Sequence, residues 1–301
     1  MKKIIAAALL SFSLNSFADN APLWLRFCSI SPDGQTIAFS YKGDLFSVPV
    51  NGGIAKQLTT NPAYDAYPIW SPDGQKIAFA STREGSMDIY LMNKNGGVPK
   101  RLTTNSGSEI PMAFTDNNHV LFSSAIMPTA KSIFFASGTF PQTYEVNIDA
   151  SRPRLYSPIT MCDANVKSNG DILYHDVKGY EDNFRKHHRS PVTRDIWLYS
   201  KGNYTKLTNF DGEDRTPVWG NNTNEYYYLS EEDGTFNVYK RNIDGSGKKQ
   251  LTFHKANPVR FLTVANNGTI CYGYDGEIYT LKDGQQPKKV DITIVTDQID
   301  N

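Results

Sequence analysis

The sequence predicts an all-β protein built from repeated antiparallel sheets, and three observations support this prediction. The nonapeptide SPDGQTIAF at Ser31–Phe39 returns as SPDGQKIAF at Ser71–Phe79, about forty residues further along the 301-residue chain. A repeat of this length is typical of stacked supersecondary units. Aromatic residues make up 12% of the chain, and 22 glycines and 16 prolines supply turns between short runs of β-forming residues. Together these features predict a six-bladed β-propeller with four-stranded antiparallel blades.

One complete unit can be read between Tyr67 and Thr104. Its Ser-Pro-Asp-Gly tetrad, Ser71–Gly74, has the residue preferences of a type I turn. The apolar segment YPIW precedes this turn and KIAFAS follows it, so the turn joins the first two strands. DIYLMN predicts a third strand, NKNGG a hairpin turn and PKRLT a fourth strand.

The same order of elements recurs six times along the chain. The predicted blades span roughly residues 22–61, 62–105, 106–158, 159–209, 210–254 and 255–295. Blades three and four each carry an extra segment between their second and third strands. Insertions that keep the repeat intact map to loops on one face, often the binding face.

The two ends of the chain are predicted to lie outside the propeller. Residues 1–18 have the layout of a secretory signal peptide: two lysines, the short apolar run Ile4–Leu14, and a small-x-small site ending at Ala18. We expect cleavage there and export to the periplasm. No later stretch is apolar enough for a membrane span. Residues 296–301 are predicted to form a truncated tail or linker.

Closure of the ring is predicted to depend on side-chain packing. The first unit begins with its own inner segment, LWLRFCSIS, and the sixth ends with its own fourth strand near Val290–Ile294. We therefore expect no strand to be exchanged between the ends.

Charge and cysteine content exclude several classes of partner. The 31 lysines and arginines balance 31 aspartates and glutamates, so no basic field for nucleic acid is expected. The odd, widely spaced set Cys28, Cys162 and Cys271 predicts buried thiols rather than a disulfide framework. No G-x-S-x-G, H-E-x-x-H or P-loop motif is present. We expect no catalytic residue, no cofactor and no metal in this chain.

The densest polar cluster lies in the blade-four insertion. It consists of Arg185, Lys186, His187, His188 and Arg189, with Arg194 leading back into the strand. Adjacent histidines in an extended segment point to opposite sides, so they would not share one metal ion. Two interpretations stay open. The cluster is a solvated or interface loop, or it contacts an anion, a peptide carboxylate or another domain, since arginine and histidine suit carboxylate partners.

Acidic residues recur just before the inner strands, at Asp65, Glu109, Glu213 and Asp214. They could ring the mouth of a central channel. The favoured interpretation is that they cap turns.

The repeat pattern SPDG-x-x-IAF…DIYLMN-x-x-GG-x-P-K-R-LT resembles the TolB-like (PD40) propeller repeat. Four stretches narrow the resemblance to the amino-terminal six-bladed propeller of exported tricorn-type proteases. They are LWLRFCSISPDGQTIAFSYKGDLFSVPVNGG, FRKHHRSPVTRDIWLY, GEDRTPVWG and NPVRFLTVANNGTICYGYDGEIYT. The resemblance covers nearly the whole chain after the signal peptide.

The resemblance implies a non-catalytic role. In tricorn-type proteases the six-bladed propeller is followed by a seven-bladed propeller, a PDZ domain and a core that holds the catalytic serine and histidine. It thus implies that this chain is the propeller portion of an exported serine protease, acting as a peptide gate or channel and as a domain-packing scaffold. The implied partners are peptides or a carboxy-terminal protease region. Family members hold a peptide's terminal carboxylate with basic residues, for which Lys131, Arg152 and the 185–189 loop are candidates. The alternative is a stand-alone periplasmic TolB-like protein-binding propeller.

Overall fold

The computed structural model describes residues 22–125, 141–179, 190–222 and 224–295. Within these ranges the chain forms strands and turns, with no helix. The strands make six sheets, five of four strands and one of five. This confirms the predicted all-β fold with six blades. None of the described segments is a helix with the length and apolarity needed to cross a bilayer.

The strands follow one another in chain order within each sheet. The first sheet holds β1 (Arg26–Ile30), β2 (Thr36–Tyr41), β3 (Asp44–Pro49) and β4 (Gly53–Gln57). The second holds β5 (Asp65–Trp70), β6 (Lys76–Glu84), β7 (Ser86–Asn93) and β8 (Gly96–Arg101). The third holds β9 (Glu109–Asp116), β10 (His119–Ser124), β11 (Gln142–Asn147) and β12 (Arg154–Ser157).

The second half of the chain repeats this order. The fourth sheet holds β13 (Cys162–Val166), β14 (Ile172–His175), β15 (Ile196–Ser200) and β16 (Asn203–Lys206). The fifth holds β17 (Asp214–Trp219), β18 (Glu225–Ser230), β19 (Asn237–Asn242) and β20 (Lys249–Gln250). The sixth holds β21 (Arg260–Val264), β22 (Ile270–Tyr274), β23 (Glu277–Leu281) and β24 (Lys288–Lys289). A final strand, β25 (Ile292–Ile294), follows.

The first strand of each blade lies at the axis of the ring. These inner strands, β1, β5, β9, β13, β17 and β21, each contact the next, and β21 contacts β1. Six clusters of buried apolar side chains fill the six junctions between blades. At the junction of blades one and two, for example, Leu45 packs with Ile77 and Phe79. A single four-stranded sheet cannot cover both its faces, so each blade is stabilised by its neighbours.

The repeated phrase builds the turn between the first and second strands. In blade one the amide of Gly34 donates to the carbonyl of Ser31 (2.8 Å), and the Ser31 hydroxyl donates to Oδ1 of Asp33 (2.5 Å). Blade two repeats both bonds, from Gly74 and Ser71, at 2.8 and 2.6 Å. Glycine is needed at the end of the tetrad because φ is positive there.

Closure of the ring differs from the sequence-based expectation, which was wrong. The β25 strand crosses to the first blade and pairs in parallel with β4, with Ile292 opposite Gly53 and Ile294 opposite Ala55. The sixth blade's own outer strand is only the two-residue β24. The outer edge of β4 would otherwise present unpaired amides and carbonyls, and β25 satisfies them. One such bond joins the Gly53 amide to the carbonyl of Asp291 (2.8 Å).

Candidate functional site at the axis of the ring

The inner strands share an irregularity at the same position in five blades. The residue four places before the first turn has a left-handed backbone in each of them: Phe27 (φ 53°), Tyr67 (56°), Asp163 (48°), Thr216 (51°) and Phe261 (57°). The pairing register shifts at each of these residues. In blade three the position is Pro111, whose ring fixes φ at a negative value. We call these six residues the axial collar.

One half of the axial collar is aromatic. The ring of Phe27 lies 4.1 Å from that of Tyr67 and 5.0 Å from that of Phe261, measured between centroids. The three rings come from blades one, two and six, which are neighbours. All three residues have a left-handed backbone, and their rings meet across the junctions. Tilted aromatic pairs of this kind each contribute about 1 kcal/mol beyond the area they bury.

Besides Pro111, the other half of the axial collar consists of two polar residues, Asp163 and Thr216, here called its polar half. The Thr216 hydroxyl donates to Oδ2 of Asp163 (2.7 Å), which joins blades five and four. The side chain of Asp163 is 50% exposed although it lies on an innermost strand. Solvent therefore reaches the axis of the ring at this level.

His175 supports the polar half from the second strand of blade four. Its Nδ1 accepts a hydrogen bond from the amide of Thr216 (3.3 Å) and lies 3.7 Å from Oδ2 of Asp163. Burial lowers the pKa of His175 to about 3, so the ring is neutral at physiological pH. The contact between the His175 ring and the Asp163 carboxylate is therefore not an ion pair. Because Nδ1 accepts the amide proton, the ring's own proton is on Nε2.

In three consecutive blades, the fifth, the sixth and the first, the residue directly before the axial-collar residue is an arginine. These residues are Arg215, Arg260 and Arg26. We call these three residues the arginine crescent. The corresponding residues of the other blades are Ala66, Ile110 and Cys162, which carry no charge. The arginines lie near the starts of their strands. This places them at the end of the ring that carries the connections between blades and between second and third strands, here called the loop face.

A shared carboxylate joins Arg215 to a fourth arginine. Nε of Arg215 lies 3.3 Å and Nε of Arg194 3.5 Å from the same oxygen, Oε1 of Glu213. The Arg215 guanidinium also stacks over the ring of Phe236, 4.1 Å from its centroid. Burial lowers the pKa of Arg215 to about 10, so the group stays charged at neutral pH. Burial and the charge of Arg26 both lower the pKa of Arg260.

Of the basic cluster predicted from the sequence, the structure describes one residue. Arg194 lies in the β14–β15 connection, with its side chain largely covered and in contact with Glu213. Arg185, Lys186, His187, His188 and Arg189 lie outside the described residues, as does Lys131. Arg152 is exposed. The arginine crescent was not predicted, although aligning the six units on their turns would have placed its members in one column.

The acidic residues do not ring an open mouth of a channel. Asp65, Glu109, Glu213 and Asp214 are all buried. Their strand positions put them inside the junctions, where Asp65 pairs with Arg83 (2.7 Å). Burial raises the pKa of Glu109 to about 7 and that of Asp214 to about 7. No group of three histidine, cysteine, aspartate or glutamate side chains arranged to hold a metal occurs among the described residues.

Comparison with known proteins agrees with this architecture. The sequence profile of the tricorn protease N-terminal beta propeller domain matches residues 22–287. Tricorn protease homolog 1 of Streptomyces coelicolor is 25% identical over 286 residues, which is 93% of this chain and 26% of that protein. The chain thus spans about a quarter of the length of that relative.

Two solved structures share the fold. The crystal structure of the tricorn protease superposes with a TM-score of 0.77 at 21% identity, over 93% of this chain and 27% of that one. TolB from Acinetobacter baumannii superposes with a TM-score of 0.62 at 14% identity, over 89% of this chain and 65% of that one. Because the family profile covers nearly all of the described ring, the chain belongs to the family of tricorn protease N-terminal β-propeller domains.

Proposed function

We propose that this chain is the non-catalytic propeller portion of an exported tricorn-type serine protease and that peptides pass along its axis. The observation that carries the proposal is that solvent reaches the axial collar. A half-exposed carboxylate and a bridging hydroxyl face three aromatic rings there. A peptide presents both polar backbone groups and apolar side chains, and this mixed lining offers partners for both. Family membership and the match to tricorn protease homologs support the link to proteolysis.

The loop face is the surface proposed to pack against the rest of such a protease. It exposes two large aromatic side chains, Trp24 (71% exposed) and Phe253 (67% exposed). Trp24 precedes β1 and Phe253 follows β20, so both belong to connections at this end of the ring. Arg194 belongs to a connection of the same face. We propose Arg194, together with Arg185, Lys186, His187, His188 and Arg189 of the same stretch of sequence, as contacts for a peptide carboxylate or a docking domain.

A pull-down tests the packing role. The carboxy-terminal protease region encoded with this chain should be retained by the chain. A variant that lacks Phe184–Pro191 should retain it less. A charge-neutral version, in which the basic residues of this segment become glutamine, separates charge from loop length. Equal retention by all three proteins would contradict the role given to the segment.

The second candidate function is a stand-alone protein-binding propeller, which the fold shared with TolB favours. The coding sequence downstream of Asn301 distinguishes the two. A second propeller and a protease core in the same frame support the first function. A stop codon beside genes for an envelope complex supports the second.

Export is proposed from the leader-like residues 1–18. Expression with those residues should place the protein in the periplasmic fraction, with Asp19 as its first residue by amino-terminal sequencing. Retention in the cytoplasm with Met1 intact would contradict export.

A further inference from the structure

Two of the three cysteines lie in the junction between the first and sixth blades. Cys28 is on β1, the inner strand of blade one, and Cys271 is on β22, the second strand of blade six. Both are buried in the same apolar cluster, which also holds Ile292 of the closing strand β25. More than two hundred residues separate the two cysteines in the sequence, so only closure of the ring brings them to one junction.

The contacts of β1 place Cys28 against the strand pair of blade six that carries Cys271. The Cys28 thiol donates a hydrogen bond to the carbonyl oxygen of Phe261 on β21, with 3.4 Å between sulfur and oxygen. Two residues further along β1, the Ile30 amide donates to Oγ1 of Thr263 (3.1 Å). Thr263 lies directly opposite Cys271 in the pairing of β21 with β22. Cys271 is therefore one strand spacing, about 4.8 Å, from a residue that β1 contacts directly.

The two thiols contact each other across this junction. Burial, and after it the hydrogen-bonding contact with the Cys271 thiol, raise the pKa of the Cys28 thiol well above its ordinary value. Cys28 therefore stays protonated and unreactive while the junction is packed, because the thiolate is the nucleophile in thiol chemistry. The third cysteine, Cys162, lies on β13 of blade four and is not part of this pair. All three cysteines are free thiols in the structure.

We propose that Cys28 and Cys271 are an oxidation site and form a disulfide bond that joins the first blade to the sixth. The pair has the arrangement that such a bond requires, since the two thiols face each other from different strands. The strand exchange at this junction consists of only the three residues of β25, paired with the outermost strand of blade one. The disulfide would join the same two blades nearer the axis.

The proposal does not depend on the passage of peptides. Export, proposed above from residues 1–18, would deliver the chain to a compartment in which disulfides form and persist. Because both thiols are covered once the blades pack, we expect the bond to form as the ring closes.

The oxidant that we specify is a small disulfide, oxidised glutathione. The thiolate of one cysteine attacks it, which forms a mixed disulfide and releases one glutathione thiolate. The thiolate of the other cysteine then attacks the protein sulfur of the mixed disulfide, which forms the Cys28–Cys271 bond and releases the second glutathione thiolate. The two cysteines lose two electrons, which reduce the disulfide of glutathione, and two protons, which pass to the two released thiolates.

Refolding of the whole chain in two buffers tests the proposal. One buffer contains oxidised and reduced glutathione, and the other contains only a reductant. Each refolded sample is then unfolded in the presence of an alkylating agent, and mass spectrometry counts the alkylated thiols. We expect one, at Cys162, after refolding with glutathione, and all three after refolding with the reductant. Peptide mapping should recover Cys28 and Cys271 in one cross-linked pair of peptides.

Serine variants identify the partners. C162S should form the same disulfide and retain no free thiol. C28S should form no internal disulfide, so Cys162 and Cys271 should both be alkylated or carry glutathione. Circular dichroism establishes that each refolded protein is folded, and the thiol count of the unaltered chain needs no substitution.

The midpoint of thermal unfolding tests whether the bond belongs to the packed ring. A disulfide that closes so long a loop constrains the unfolded chain, so the oxidised chain should melt roughly 5 °C or more above the reduced one. C28S refolded in the same two buffers should show no such difference.

The contrary results are distinct. Three alkylated thiols after refolding with glutathione would show that no bond forms. A cross-link to Cys162, or glutathione held on both Cys28 and Cys271, would show that these two are not partners. A Cys28–Cys271 bond that leaves the midpoint unchanged or lowers it would show that the bond forms outside the packed ring. None of these results concerns peptide entry at the axis, so this inference and the proposed function fail separately.

Discussion

Thr216 of blade five donates a hydrogen bond of 2.7 Å to Asp163 of blade four, so two adjacent blades are joined by side chains at the axis. The bond depends on the left-handed backbone of both residues, which places side chains of neighbouring inner strands within reach of each other. Backbone of this kind is rare outside glycine and costs about 1–3 kcal/mol per residue. Its recurrence in five blades indicates that the ring as a whole stabilises it.

Replacing Thr216 with valine tests this link. Valine keeps the branched shape and removes the hydroxyl, so the free energy of unfolding should fall by about 1 kcal/mol. Urea titration followed by tryptophan fluorescence measures the change. The T216S variant keeps the hydroxyl and should keep most of the hydrogen-bond contribution. A T216V protein as stable as T216S would contradict a stabilising bond to Asp163.

The closing strand β25 is the subject of the second prediction. Ile292 is buried against the first blade, whereas Val295, three residues later, is exposed. The I292D variant would place a charge in this apolar junction and should lose about 3 kcal/mol of stability. The V295D variant makes the same chemical change in solvent and should stay within about 0.5 kcal/mol of the unaltered protein. Similar denaturant midpoints for the two variants would show that β25 does not close the ring.

The third prediction concerns pH. Burial raises the pKa of Glu109 to about 7 in the folded chain, from an ordinary value of 4.5. Below pH 4.5 the group is protonated in both states. As the pH rises from 4.5 through 7, the unfolded chain releases this proton more readily than the folded chain, so the contribution of Glu109 to stability is lost.

The E109Q variant should not lose this part of its stability as the pH rises, because glutamine cannot ionise. Its stability relative to the unaltered protein should therefore increase between pH 5 and pH 8, by a difference on the order of 2 kcal/mol. Denaturant titrations of both proteins across this range measure it. Using the difference between the two proteins cancels other titrating groups, including buried His175, whose lowered pKa acts in the opposite direction. A difference that stays constant or shrinks with rising pH would contradict the prediction.

The aromatic half of the axial collar gives a fourth prediction. The F27L variant keeps an apolar side chain of similar size and loses the ring contacts with Tyr67 and Phe261. It should be less stable by about 1–2 kcal/mol in a thermal or denaturant melt. Phe253 is exposed in the connection that follows β20, so F253L serves as the matched control and should change little. Equal effects of the two substitutions would argue against packing of the three rings.

The sequence predicted the parts of the fold that repeat in residue type. The Ser-Pro-Asp-Gly turns at Ser31 and Ser71 form the same hydrogen bonds in both blades, because the same side chains recur there. The six blades followed from the repetition of turns and β-forming runs. These features are local, so a short window of sequence contains them.

The features that escaped prediction repeat in backbone shape or depend on distant residues. Phe27, Asp163 and Thr216 share a left-handed backbone and a place in the axial collar, but they share no chemistry that a motif could capture. The β25 strand has only three residues, and its partner β4 lies more than two hundred residues earlier. The burial of Glu109 depends on the packing of two blades. None of these relationships is visible within one repeat.

Cysteine labelling at the axis tests most directly whether peptides can enter it. In the D163C variant the new thiol would lie at the half-exposed position of the axial collar, whereas native Cys28 and Cys271 are buried and native Cys162 is mostly covered. We predict that D163C reacts with a small maleimide far faster than the native thiols and that a saturating peptide slows this reaction. A D163C thiol that reacts as slowly as the buried ones, or at a rate that no peptide alters, would contradict an axis open to peptides.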